Sequence, residues 1–383
     1  MTLQRLWPIP LLMIGALSFL IPGCDKLVTQ VNNNTYYDST LGDKCLRCHG
    51  DGVIDDSINQ PRGQWANSAH ASDRLIEATV NLNGKQYATN VCGPECHTSQ
   101  GFVRRDTTGV THPEVGRPAV IGCATCHAPH TGKFINDWKI EPVRMEGSPV
   151  KLVSNVTIDL KKGNHCAFCH KAFDRQRLPN SADTVVLTGD WGPHYSCQAD
   201  VFSKSTGFLF GAAPDTSGGH NIHDTIFAAV GCVACHFGTT SNTGRANQFG
   251  EHTFRLEDSV SGTQFVQNCN RPGCHEPTSI PEQGFYKDFP DLDTVRIFGD
   301  SLRLLLTSRH ILDSSDVTGR MFYSNSHVLK DEAQILYNYL LYKMDGSRGV
   351  HNPKYMKALL KGSVGRWDSI PRASFALPRD AVD

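Results

Sequence analysis

The segment GCATCHAPHTG, residues 122–132, places two cysteines and two histidines within a span of eight residues. A structural zinc ion would take all four of these side chains as ligands. A group attached through both sulfurs would instead use Cys123, Cys126 and the adjacent His127, and would leave His130 for another role. The rest of the sequence decides between these interpretations.

The same arrangement of two cysteines and a following histidine occurs six times. The six sites are Cys45-Cys48-His49, Cys92-Cys96-His97, Cys123-Cys126-His127, Cys166-Cys169-His170, Cys232-Cys235-His236 and Cys269-Cys274-His275. In the C-x-x-C-H form, the thiols add to the vinyl groups of a haem and the histidine ligates its iron. Zinc would not require a histidine after every second cysteine. The sequence therefore predicts six covalently bound haem c groups, with these twelve cysteines as attachment points and these six histidines as iron ligands.

Two of the six sites have longer spacings between their cysteines. Gly93-Pro94 and Pro272-Gly273 supply turn-forming residues that would let the additional residues loop out. A local disulfide at each of these two sites, leaving four haems, is the alternative interpretation.

Composition gives evidence on the cellular compartment of the protein and on its partners. The chain has 383 residues, 37 basic and 38 acidic side chains and a formal charge of −1, which gives no reason to expect nucleic acid as a partner. Fourteen cysteines are too many for an ordinary reduced cytosolic protein, and their close pairing is unlike a disulfide framework.

The N-terminal residues predict export. Residues 1–23 have the order of a secretory signal, and Ile21-Pro22-Gly23-Cys24 resembles a bacterial lipobox, although Pro22 departs from the usual pattern. We expect Cys24 to be lipidated and to anchor the protein to a bacterial membrane, facing the periplasm or the cell surface. A plain signal peptide with an incidental cysteine is the alternative. The sequence predicts a polar tether over residues 24–42 and one hexahaem domain with C-terminal helices over residues 43–383.

The predicted fold is mostly irregular with some α-helix, in a multihaem cytochrome c fold whose chain wraps a stack of covalently bound haems. Residues 331–344 have helical periodicity. Asn352 and Pro353 predict the start of a helix that ends at Gly362, and Asp300 could cap another helix. Cys197 is left over from the pairs, and we expect it to be a buried apolar side chain.

Residues 44–363 resemble the bacterial multihaem c-type cytochromes of respiratory and extracellular electron transfer. The similar elements are W-x-x-S-x-H-A at 65–71, C-x-x-C-H-x-P-H at 123–130, G-P-H-x-S-x-Q-x-D at 192–200, H-T-F at 252–254 and G-V-H-N-P-x-Y at 349–355. In each site, the histidine that directly follows the second cysteine is called the Cys-linked histidine. The resemblance implies that five other histidines are distal ligands, each on the iron face opposite a Cys-linked histidine: His70, His130, His194, His252 and His351. The sixth is expected to be His223, with His220 and His112 as competitors. We expect His130 to serve a neighbouring haem, and His310 and His327, in helical segments, to be surface or hydrogen-bonded side chains.

The predicted function is electron transfer along closely packed bis-histidine haems of low potential, in an anaerobic respiratory or extracellular electron-transfer chain. The expected partners are other cytochromes, a quinol-oxidising complex or an outer-membrane conduit. An electron carrier without its own substrate is favoured over an enzyme. A multihaem reductase acting on a small nitrogen or sulfur compound, and a homo-oligomer or haem-lined filament, are the alternatives.

Overall fold

The computed structural model describes residues 59–72, 93–109, 119–127, 143–172, 184–188, 191–213, 231–238, 248–258, 262–270, 275, 289–313, 322–323 and 326–370. Several predicted features lie outside these ranges. They are the signal segment 1–23, the tether 24–42 with Cys24, the site Cys45-Cys48-His49, and Cys92, His112, His130, His220, His223 and Cys274.

Helices are the main regular elements of the described residues. They are α1 (Asn59–Ala66), α2 (Gly93–His97), α3 (Ser99–Thr108), α4 (Cys123–Cys126), α5 (Gly163–Cys169), α6 (Gln198–Phe202), α7 (Val233–His236), α8 (Pro290–Ser308), α9 (Lys330–Asp345) and α10 (Pro353–Trp367), with 3₁₀ turns at Ala69–Ala71 and Glu251–Thr253. The last three are the longest, at 19, 16 and 15 residues, and the other described helices have ten residues or fewer. This confirms the prediction of a mostly irregular chain with some α-helix.

Two small antiparallel sheets complete the regular structure that is described. Strand β1 (Val150–Lys151) pairs with β2 (Thr157–Ile158), and β3 (Thr184–Leu187) pairs with β4 (Ser326–Leu329). The second sheet joins segments far apart in the sequence, because Thr184 lies opposite Leu329. Its alternate side chains Val185 and Leu187 are buried against the C-terminal helices.

The three long helices build an apolar core. Leu302 and Leu306 of α8, Leu336 and Leu340 of α9 and Leu359 of α10 are fully buried and belong to one cluster. The same cluster includes Cys197, whose Sγ lies 3.6 Å from the carbonyl oxygen of Leu341. The prediction that Cys197 is a buried small side chain is confirmed.

Local signals fix the starts of α9 and α10. The Oε2 atom of Glu332 accepts a hydrogen bond from the backbone N–H of Leu329 at 2.9 Å, which caps α9. The Oδ1 atom of Asn352 accepts from the N–H of Tyr355 at 3.2 Å, and Pro353 occupies the first turn of α10. Both predicted helices are therefore confirmed at their N-terminal ends.

Two predicted helix boundaries are wrong. Helix α10 continues through Gly362 to Trp367. The glycine is needed inside the helix, because α10 passes close to the backbone of Leu209 at this position. Asp300 does not cap a helix: it lies within α8, which begins at Pro290. The side chain of Asp300 is exposed and forms an ion pair with Arg296, one turn earlier.

A second, smaller apolar cluster surrounds the cysteine-bearing segments. It contains Phe102 and Val103 of α3, Leu160 and Phe168, and Cys96. Among the described residues, no helix has both the length and the apolar character needed to cross a membrane.

Candidate haem sites

Short helices present the cysteines of the candidate sites. Cys123 and Cys126 begin and end α4, and Cys166 and Cys169 lie in the last turn of α5. Side chains three residues apart lie on the same face of a helix, so both sulfurs of a pair can reach one edge of a planar group. No disulfide bond joins any two of the nine cysteines that the structure describes.

Cysteines from different sites lie next to each other. The thiol of Cys166 lies beside that of Cys232, and the thiol of Cys169 lies beside that of Cys96. The site at 166–170 is thus in contact with the sites at 232–236 and 92–97. Burial raises the pKa of the Cys126 thiol to about 12, so this group is a neutral thiol at neutral pH.

Each of four Cys-linked histidines faces a distant histidine from the set that the sequence predicts as distal ligands. The ring centroids are 6.0 Å apart for His170 and His70, 6.0 Å for His97 and His194, 6.1 Å for His127 and His252, and 6.4 Å for His236 and His351. The partners of a pair are remote in sequence. Nothing in the local sequence of either residue specifies which histidine it faces.

The ring separations fit a shared metal ion. A bond from a first-row metal to an imidazole nitrogen is about 2 Å long, so two imidazoles on opposite sides of one ion have ring centroids roughly 6 Å apart. All eight rings are half-buried. The cysteines that precede each of these Cys-linked histidines supply the attachment points of a haem. The residues therefore fit covalently attached haem, whose iron would be held by the two histidines of a pair.

Burial favours the neutral, metal-binding form of His70 and His236. It lowers the pKa of His70 to about 4, with smaller contributions from the neighbouring His170 and His165. It also lowers the pKa of His236 to about 4. Because only a neutral imidazole can coordinate a metal, both side chains are ready to bind at neutral pH.

Hydrogen bonds orient three of the paired rings. Nδ1 of His170 donates to Oε1 of Gln198 at 3.0 Å, and Nδ1 of His236 donates to the carbonyl oxygen of Phe254 at 2.9 Å. Nδ1 of His351 donates to Oδ1 of Asp345 at 2.7 Å. A hydrogen bond from one ring nitrogen fixes the tautomer and leaves Nε2 available as the ligand atom.

Sequence reasoning missed the importance of Gln198 and Asp345. Gln198 stands within the G-P-H-x-S-x-Q-x-D segment, which was the available signal, but Asp345 belongs to no recognised pattern. Gln198 also donates from Nε2 to the backbone carbonyl of Asp345 at 3.0 Å. The two residues thereby connect the His70–His170 pair with the His236–His351 pair.

The histidines expected to be surface residues are exposed, although not in helices. His310 follows the end of α8 with a φ of 55°, and His327 lies in β4. His165 is buried in α5, and its ring contacts Phe102 at a centroid distance of 4.9 Å. It therefore packs within the apolar cluster around the cysteines.

Two solved structures are similar to this chain. The crystal structure of the outer cell wall cytochrome OcwA matches 79% of this chain and 49% of its own, at 16% identity and a TM-score of 0.45. The undecahaem cytochrome from the S-layer of Carboxydothermus ferrireducens matches 90% of this chain and 40% of its own, at 14% identity and a TM-score of 0.36. The chain thus spans less than half the length of either protein. No protein-family model and no curated protein matches it.

Proposed function

We propose that the chain is a hexahaem c-type cytochrome that transfers electrons and has no substrate of its own. The observation that carries this proposal is the set of four histidine pairs, each joining a Cys-linked histidine to a predicted distal histidine at 6.0–6.4 Å. Haem c bound at these sites would supply a one-electron iron couple.

The paired histidines favour a carrier over an enzyme. A haem iron held by both histidines of a pair would have no open position, whereas a reductase for a small nitrogen or sulfur compound needs an open position and acid–base groups beside it. The half-buried rings and the apolar cluster around Phe102 and Phe168 also limit the access of water. Such sites favour outer-sphere electron transfer with little rearrangement.

The pairing of His97 supports haem at a long-spaced site. Its ring faces His194 at 6.0 Å, the same separation as at the C-x-x-C-H site of His170. This argues for haem, rather than a local disulfide, at Cys92 and Cys96. Four predicted distal histidines are used by the four pairs. His130 and His223, with His220 and His112 as competitors of His223, are left to serve His49 and His275, which would complete six sites.

The contacts between sites support a conduit. Cys169 and Cys96 belong to different sites and contact each other, as do Cys166 and Cys232. Groups attached at adjacent sulfurs are held close together, as electron transfer between them requires. The proposed partners are therefore redox proteins: other cytochromes, a quinol-oxidising complex or an outer-membrane conduit.

Export and lipidation complete the proposal. Residues 1–23 would direct the chain out of the cytoplasm, and lipid on Cys24 would hold it on a bacterial membrane. Expression of the full chain with Cys24→Ser should release it from the membrane fraction into a soluble one. Retention of the variant on the membrane would contradict the anchor and leave the haem sites unaffected.

One experiment tests the haem proposal directly. Pyridine haemochrome analysis of the full-length protein should give six haems per chain, and EPR spectroscopy should show only low-spin ferric signals that cyanide and nitrite do not change. A count of four would show that the two sites with longer cysteine spacings bind no haem. High-spin signals that respond to nitrite or cyanide would favour the reductase.

A further inference from the structure

Asp345 places a carboxylate where a folded protein normally avoids one. It is the last residue of α9, a helix of 16 residues, and its side chain is fully buried. The C-terminal end of a helix carries partial negative charge, so a carboxylate there is destabilising. Burial adds a desolvation cost for an ion of this kind. A residue with two such costs requires compensating contacts.

The loop that follows α9 folds around this carboxylate. Oδ2 of Asp345 accepts hydrogen bonds from the backbone N–H and the hydroxyl group of Ser347. The Ser347 hydroxyl oxygen in turn accepts from the N–H groups of Gly349 and His351, both at 3.2 Å. Gly346 has a φ of 71°, which lets the chain turn back at the end of the helix. The loop thus brings His351 to the carboxylate.

The remaining oxygen of the carboxylate contacts a proposed haem ligand. Oδ1 of Asp345 accepts from Nδ1 of His351 at 2.7 Å, and His351 is its only ion-pair partner among the described residues. The ring of His351 faces His236 at 6.4 Å. His236 and His170 donate to neutral oxygens, those of Phe254 and Gln198. Asp345, the acceptor for His351, therefore differs in charge from the acceptors for His236 and His170.

We propose that Asp345 is a positioning residue that lowers the reduction potential of the haem held by His236 and His351. This rests on the proposed function. A carboxylate that accepts from Nδ1 increases the basicity of the imidazole, and a more basic ligand stabilises ferric iron, which carries one more positive charge than ferrous iron. The His70–His170 site has the neutral Gln198 in the equivalent role. Gln198 also hydrogen-bonds to the backbone of Asp345, so the two sites whose histidines have acceptors of different charge are adjacent.

The test removes the charge of the Asp345 side chain and keeps its shape. In the full-length haem-loaded protein, Asp345→Asn retains an oxygen that accepts from Nδ1 of His351. We expect spectropotentiometry to show one haem whose ferric–ferrous equilibrium shifts about tenfold toward the reduced form, which is 59 mV for a one-electron couple. EPR should still show that haem as low-spin, because His351 remains in place.

Glu332→Gln is the matched control. Glu332 is also a buried carboxylate of α9, but it lies in the first turn of that helix, at the end opposite to Asp345. It should leave the potentials within error of the wild type. An equal shift in Glu332→Gln, or no shift in Asp345→Asn at full haem content, would overturn the inference.

A second variant keeps the inference testable if Asp345→Asn does not fold. Gln198→Glu places a carboxylate beside Nδ1 of His170, so a different haem should shift toward the oxidised form. If Gln198→Glu binds the full number of haems and leaves every potential unchanged, the inference fails. If the wild-type protein binds no haem, the proposed function itself fails, and the haem count separates the two outcomes.

Discussion

The backbone carbonyl of Phe254 accepts a hydrogen bond from Nδ1 of His236, and the phenyl ring of Phe254 packs edge-on against His70 at a centroid distance of 4.7 Å. The same ring lies 6.4 Å from the ring of His252. Phe254 therefore contacts one histidine from each of three pairs. It does so with a left-handed backbone, at φ 58° and ψ 3°. A non-glycine residue in this region is strained, and such strain is often retained where it positions functional groups.

The strain at Phe254 gives a test that requires no assumption about haem. Alanine and glycine both remove the ring, but only glycine adopts a positive φ without steric cost. We expect Phe254→Gly to be more stable than Phe254→Ala by about 1 kcal/mol in denaturant unfolding, the reverse of the usual order. Equal stability, or a more stable alanine variant, would show that the left-handed geometry is absent in solution.

The histidine pairs predict a site-specific spectroscopic change. His252→Ala removes the ring that faces His127 at 6.1 Å and should leave all thiols able to attach haem. We expect an unchanged haem count and the conversion of one low-spin haem to a high-spin or ligand-accessible form in EPR spectra. His310→Ala is the control, because His310 is exposed beyond the end of α8. A normal low-spin spectrum in His252→Ala would contradict this pairing.

The features predicted from sequence are the local ones. Helix α9 and the start of α10 follow from periodicity and from the Asn352–Pro353 capping pair, which neighbouring residues determine. The pairing of His70 with His170, and of β3 with β4, could not be predicted because each joins segments that only the tertiary fold brings together. The end of α10 was missed for a related reason, since Gly362 is required by a distant contact with Leu209 rather than by a helix terminus.

A partly buried ion pair joins α8 to α9 and should contribute measurably to stability. Nη1 of Arg309 lies 2.6 Å from Oε1 of Glu332, and the guanidinium stacks over Trp367 at 4.5 Å. Arg309→Met would leave the buried carboxylate without its cation, and we expect a loss of about 3 kcal/mol in the free energy of unfolding. Arg296→Met removes the exposed pair with Asp293 in α8 and should cost about 0.5 kcal/mol or less. Similar losses in the two variants would show that the Arg309 pair is not shielded from solvent.

Cys197 should be dispensable for haem attachment and necessary for packing. Its side chain is fully buried among the C-terminal helices, and burial raises its pKa well above the ordinary thiol value. We expect Cys197→Ala to keep the full haem count in pyridine haemochrome analysis and to lose about 1 kcal/mol of stability through the missing sulfur. A reduced haem count at wild-type expression would assign the thiol a role in attachment.

Two glycines of α10 should respond in opposite directions to the same substitution. A Cβ added at Gly362 would meet the backbone carbonyl of Leu209, which cannot move aside without shifting its loop, whereas a Cβ at Gly365 would meet no atom within 4 Å. Overpacking should make Gly362→Ala less stable than the wild type by about 2 kcal/mol. Gly365→Ala should be more stable by up to about 1 kcal/mol, because alanine has the higher helix propensity. Chemical denaturation of the two variants measures both effects in one helix. Stabilisation by Gly362→Ala would show that α10 does not pack closely against residues 209–212.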